Sequence, residues 1–276
     1  MARVSFEGVK RVAIALAWLA LFAVIGFGIT FGMSPLLPAW GGPNWFVARN
    51  GIYELLGFGA ATLIVGRLLS KHSWDAMGWR RERFGHQLLR GVALGAVMAA
   101  TAIGLAVILD GARVSLTPEW ARIPAVALPL AFGLLCAALA EELLARGYPL
   151  RQLADAVGPW GATAVLALAF GALHLGNPNA SALGFVNVVL AGVWLSVGFF
   201  LGGIGLAWGL HFGWNAGLEL LFDAPVSGYS FQVPVVDYAP GARGWIDGGA
   251  FGPEGGIIAT IVVLAGTAVL GRRLKT

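Results

Sequence analysis

Long apolar stretches separated by short polar loops dominate the chain, and apolar runs of 18 residues or more recur along it. Runs of that length cross a hydrocarbon core about 30 Å thick as helices. The pattern predicts spanning helices at about 12–33, 51–69, 89–109, 123–145, 160–175, 181–200, 203–222 and 255–271. The expected fold is therefore an all-α polytopic membrane helix bundle of about eight transmembrane helices. No linker separates two folded units and no repeat is evident, so 1–276 reads as one domain. The first run is too long for the apolar part of a signal peptide and reads as the first span.

Charge then orients the bundle. Lys and Arg gather in the N-terminal segment (Arg3, Lys10, Arg11) and in the loop after the second helix (Lys71, Arg80, Arg81, Arg83). They gather again after the fourth helix (Arg146, Arg151) and in the tail (Arg272, Arg273, Lys275). Eight crossings put all four groups on one side, which predicts cytoplasmic N and C termini. Trp40, Trp45, Trp79, Trp120, Trp160 and Trp245 lie near run ends, where interfacial tryptophans sit. Only 12% of residues are charged and 58% are hydrophobic, against about 25% charged in a soluble domain. The net charge of +4 is accounted for by topology. The expected surroundings are a lipid bilayer, with no nucleic acid partner. The single cysteine, Cys136, rules out an intrachain disulfide and a cysteine-based metal site. The Gly- and Ala-rich composition suits a multi-pass protein of a prokaryotic inner membrane.

Against this background the polar residues stand out. From Ile123 to Ala140 only Pro124, Pro129 and Gly133 interrupt the apolar run, and then Glu141 and Glu142 follow side by side. A carboxylate at the centre of a spanning helix costs roughly 2.5–3.5 kcal/mol. Glu142 and Arg146 have the i,i+4 spacing of a helical ion pair. His174 ends the next apolar run, and His211 and Asn215 lie inside a later one. In the seventh helix Gly205, Gly209, Gly213 and Gly217 make one smooth face for close packing. His211 and Asn215 share the opposite face. Carboxylates, two histidines and an amide on membrane helices point to a reaction centre.

No H-E-x-x-H and no G-x-S-x-G occurs in a membrane segment. Glu141-Glu142-x-x-x-Arg146, Phe170-x-x-x-His174 and His211-x-x-x-Asn215 resemble, in order and spacing, the three motifs of the CAAX-protease and bacteriocin-processing (Abi-type) membrane endopeptidases. The motif-bearing core is about 123–222. The resemblance implies an intramembrane endopeptidase of CAAX-prenyl-protease type, acting on a peptide or protein substrate. It implies that Glu141 is a general base for water, that His174 holds and polarises that water, and that His211 and Asn215 stabilise the oxyanion. Glu142 and Arg146 would hold the helix end in place. No cofactor is expected under that mechanism. The alternative is zinc, held by Glu141, His174 and His211.

Two other readings remain: a non-enzymatic immunity or scaffold protein on the same fold, and a proton-coupled transporter. Asn187 is expected to tie two helices together, and Asn177 and Asn179 to form the turn after the fifth. Tyr148 is expected at the interface, Glu54 at headgroup level, and His72 and His86 in solvent. The loop at about 223–254 reads as a solvated connection. Straight helices would hold Glu141 and His174 about 15–20 Å apart. They can meet if the fourth helix continues past Arg146 or if the fifth is tilted or short; the first is expected, with Glu141 inside the bundle on a helix that extends to about Gln152.

Overall fold

The computed structural model describes residues 6–35, 43–116, 119–233 and 235–274. Arg3, Trp40 and Lys275 lie outside them. The helices are α1 (Phe6–Met33), α2 (Pro43–Ala61, continued by a π-helical stretch, Thr62–Leu69), α3 (Phe84–Asp110) and α4 (Ile123–Ala145). After them come α5 (Tyr148–Val157), α6 (Pro159–Leu173), α7 (Ala182–Phe222), the single turn α8 (Gly244–Asp247) and α9 (Ile257–Gly271). Seven helical stretches among the described residues are long and apolar enough to cross a membrane. One of them, α7, has 41 residues and holds two of the expected spans.

The chain reverses at Gly203, whose φ of 69° and ψ of −163° lie outside helical space and favour glycine. The two arms of α7 return alongside each other, with the Trp194 and Trp214 rings 6.3 Å apart. The turn is braced by the loop before α3. Gly78 O accepts from Ile204 N, and the Arg80 guanidinium donates to the Leu201 and Phe200 carbonyls that end the first arm. Each of the eight expected spans therefore has a helical counterpart among the described residues.

The glycine face of the second arm packs on α3. A Cβ at Gly213 would strike the Val92 carbonyl, and one at Gly95 would lie 2.6 Å from Trp214 N. Small residues on both helices thus bring the backbones into contact. Large apolar side chains such as Leu89, Ile108, Leu128, Leu168 and Val269 face outward, as a lipid-facing surface does.

Three expectations are corrected. α4 does not run unbroken to Gln152. It stops at Ala145, Gly147 leaves helical geometry (φ −58°, ψ −111°), and α5 restarts at Tyr148-Pro149 and continues to Val157. A proline early in a new helix is well placed, because its missing N–H needs no partner there. Tyr148 is fully buried and pairs through its hydroxyl with Ser70 Oγ at 2.9 Å, while His72 pairs with Gln152 at 3.0 Å. Tyr148 is thus enclosed rather than interfacial, and His72 is half-buried rather than free in solvent, because α5 folds against the loop after α2.

The third correction is the loop at 223–254, which packs onto the bundle. β2 (Val236–Ala239) pairs antiparallel with β1 (Arg113–Leu116), a small sheet the helical pattern did not predict. Arg243 bonds Asp110 at 2.7 Å, and Ala224, Val233 and Phe251 are buried. The loop is held because its backbone groups and acids find partners on α3 and α7.

Candidate active site

The site forms where α4, α6 and α7 meet. Adjacent residues on a helix point about 100° apart, so Glu141 and Glu142 face different surroundings. Glu142 is fully buried, and its Oε1 accepts from Arg146 at 3.0 Å and from His211 Nδ1 at 2.9 Å. Arg146 is itself 1% exposed, stacks over the Phe170 ring at 4.5 Å and donates to Gly192 O. The predicted ion pair is there, and it does more than hold a helix end. Because His211 Nδ1 donates to Glu142, Nε2 is the ring atom turned toward Glu141.

Glu141 lines a cavity of about 440 Å³ together with His174, His211 and Asn215. The fold thus brings together the four residues expected to carry the chemistry. Glu141 Oε2 is buried, has no hydrogen-bond partner, and lies 3.7 Å from His211 Nε2. His174 Nδ1 donates to the Phe170 carbonyl at 2.8 Å, which turns Nε2 into its free ring nitrogen. Phe170 lies near the far end of α6 yet stacks on Arg146. The helical path of α4 and α5 therefore carries the chain well past Glu141 before α6 returns. This explains how His174 reaches a residue near the end of α4. Among the described residues no three His, Cys, Asp or Glu side chains converge closely enough to hold a metal ion.

Residues 123–217 match the family described as Type II CAAX prenyl endopeptidase Rce1-like. This segment is therefore similar to that family. It is about a third of the chain, runs from the start of α4 into the second arm of α7, and contains all six residues singled out above. No curated protein and no solved structure matches the chain.

Several cavity residues lie outside the family segment. Glu54 is not at headgroup level. α2 begins at Pro43, so Glu54 sits well along the helix and lines the cavity. An acid inside an apolar run was the available signal. Ser227, Tyr229, Phe231 and Glu254 of the long loop also line it. Glu254 accepts from Trp214 Nε1 at 2.9 Å and from Ser227 N and Oγ. Asn187 fulfils its expected tie, donating to the Glu254 and Gly256 carbonyls and accepting from Thr260. Asn177 donates to Ser227 O, so the turn after α6 also clamps the loop. Contacts between residues so far apart in sequence leave no periodic signal.

Proposed function

We propose that this chain is an intramembrane endopeptidase that hydrolyses a peptide bond in a peptide or protein reaching it from the membrane, using water activated by Glu141. Glu141 Oε2 carries the reading, as a buried carboxylate oxygen with no partner, facing a histidine nitrogen across 3.7 Å. When Nδ1 of neutral His211 donates to Glu142, both facing atoms are acceptors. One water between them would donate to Glu141 and to His211 Nε2. As the water oxygen attacks the carbonyl carbon, Glu141 takes its proton. His174, with Nδ1 tied to Phe170 O, offers Nε2 to hold the water. The Asn215 amide, joined by His211 when Nε2 carries a proton, stabilises the oxyanion. A single donor of that kind is worth about 10²–10³ in rate. The name of the matching family, an endopeptidase, supports the same reaction class. The mechanism is proposed to need no metal.

The test is cleavage of a peptide library by purified protein in detergent, comparing wild type, Glu141→Gln, His174→Ala and Asn215→Ala, with and without chelator. Wild type is expected to cleave with or without chelator. Glu141→Gln should be inactive, and Asn215→Ala slower by about 10²–10³-fold. Full activity of Glu141→Gln would overturn the mechanism. Activity lost with chelator and restored by zinc would replace it with a metal-dependent one.

A further inference from the structure

We propose that Glu54 is the second carboxylate of the reaction centre: it shares a proton with Glu141 and, given the endopeptidase reading above, passes a proton to the leaving amine. The first support is helix register. A Cβ at Gly133 of α4 would lie 2.6 Å from Ala48 N of α2. One at Gly51 would lie 2.6 Å from Gly133 O and 3.0 Å from Ala137 N. The two backbones therefore touch and advance in the same direction. One more turn along both brings Glu54 beside Glu141. The second support is the face it occupies. Phe46, Val47, Asn50, Gly51, Glu54 and Phe58 all line the cavity at helical spacing, so Glu54 belongs to the cavity wall.

The third support is the contrast with the other enclosed acids. Asp110, Glu142, Glu219, Asp247 and Glu254 each accept a hydrogen bond from a fixed donor. An acid kept for structure in an apolar setting needs such a donor. Among the described residues, Glu54 and Glu141 accept none, and these two face the same cavity. The remaining titratable groups around it are His174 from the end of α6, His211 from α7, and Tyr229 and Glu254 from the long loop. On this side α1 offers Phe27, Thr30 and Phe31 and no charge. Two acids on one cavity wall, neither held by a fixed donor, are free to exchange a proton during a reaction.

The step balances. Glu141 takes a proton from water while the water oxygen bonds to the carbonyl carbon and the C=O π pair moves onto its oxygen. When the C=O re-forms, the C–N bond breaks and the amine nitrogen takes the proton that Glu54 held. Glu141 has gained a proton and Glu54 has lost one. Transfer of one proton between them restores the starting state.

The experiment combines an infrared pH titration of carboxyl bands with cleavage of the peptide library, on the purified full chain as wild type, Glu54→Gln, Glu54→Asp and Glu141→Gln. Loss of either acid is expected to change the carboxyl bands of the other. Glu54→Gln should lower kcat by about 10²-fold or more and change the alkaline limb of the pH profile, with Glu54→Asp recovering part of the rate. A Glu141 band that does not move in Glu54→Gln overturns the shared proton. A wild-type rate and pH profile in Glu54→Gln, with Glu141→Gln inactive, overturns the proton donor alone. Cleavage by Glu141→Gln would instead remove the endopeptidase mechanism, while the infrared coupling stands or falls without any substrate.

Discussion

At the scale of single residues, the division of labour between Glu141 and Glu142 follows from helix geometry and from what each side chain meets. Glu142 is enclosed with a cation and an imidazole N–H, so its charge is compensated on two sides. Removing one member of a buried pair leaves an uncompensated charge and costs about 3–5 kcal/mol. Arg146→Ala is therefore expected to lower stability by about that amount in equilibrium unfolding. It should also loosen His211, visible as a shifted imidazole NMR signal. An unchanged unfolding midpoint would contradict the compensated-pair account. The Glu142–Arg146 link was legible from i,i+4 spacing. The Glu142–His211 bond was not, since 69 residues separate the partners. Glu54 was misplaced for a different reason. Its depth was counted from an apolar run starting near 51, whereas the helix begins at Pro43 with residues polar enough to break the hydropathy signal.

At the scale of elements, the pairing of α3 with the second arm of α7 rests on glycines that carry no side chain at the contact. Gly213→Leu would push a side chain into the Val92 carbonyl, where overpacking costs about 1–3 kcal/mol. The expected result is a lower unfolding midpoint. Gly28→Leu, at a position with open space, serves as the control and should change little.

The long loop carries its own pH dependence. Asp223 lies just past α7 and its Oδ1 accepts from Val233 N at 2.7 Å. Burial, together with nearby Asp237, pushes its carboxyl up to about 6, against the backbone bond that favours the ionised form. Because the folded value is raised, the folded protein binds this proton more tightly than the unfolded chain. The contribution to stability is then present at low pH and is lost as pH rises from about 4 through about 6. Protection factors for amide exchange in 223–233, corrected for the intrinsic pH dependence of exchange, should fall over that window, and Asp223→Asn should remove the fall. Protection that stays constant in the unaltered chain would exclude Asp223 as the pH-sensitive anchor.

At the scale of the whole molecule, the helices surround a largely apolar cavity into which a few acids, histidines and amides project, and the two arms of α7 make the expected number of crossings even. Both ends would then share a face, and the Lys and Arg distribution predicts that this face is cytoplasmic. Cys136, the only cysteine, is buried, which makes a labelling test clean. A membrane-impermeant thiol reagent should label Arg81→Cys only from the cytoplasmic side and Trp245→Cys only from the other, with Cys136 unlabelled. Both replaced side chains sit at exposed positions. Labelling of the two from one side would refute the topology.

The sequence by itself determined the all-α class, the approximate positions of the apolar helices and the residues that carry charge into the apolar zone, and it predicts their orientation. Each of these is set by hydrophobic length, by Lys and Arg placement, or by spacing within one helix, and all three can be read along the chain. It also showed that two faces of the seventh predicted helix differ, since glycines and polar residues alternate at helical period. What only the tertiary structure decided is which charged groups meet. The close approach of α2 to α4 brings Glu54 into the cavity, the reversal at Gly203 brings His211 to Glu142, and the break at Gly147 lets α6 return His174 to Glu141's level. The loop at 223–254 closes one side of the cavity through bonds to Asp110, Asn177, Asn187 and Trp214. These are contacts between distant segments, fixed by backbone reversals and by packing of small residues, and no local period in the sequence encodes them.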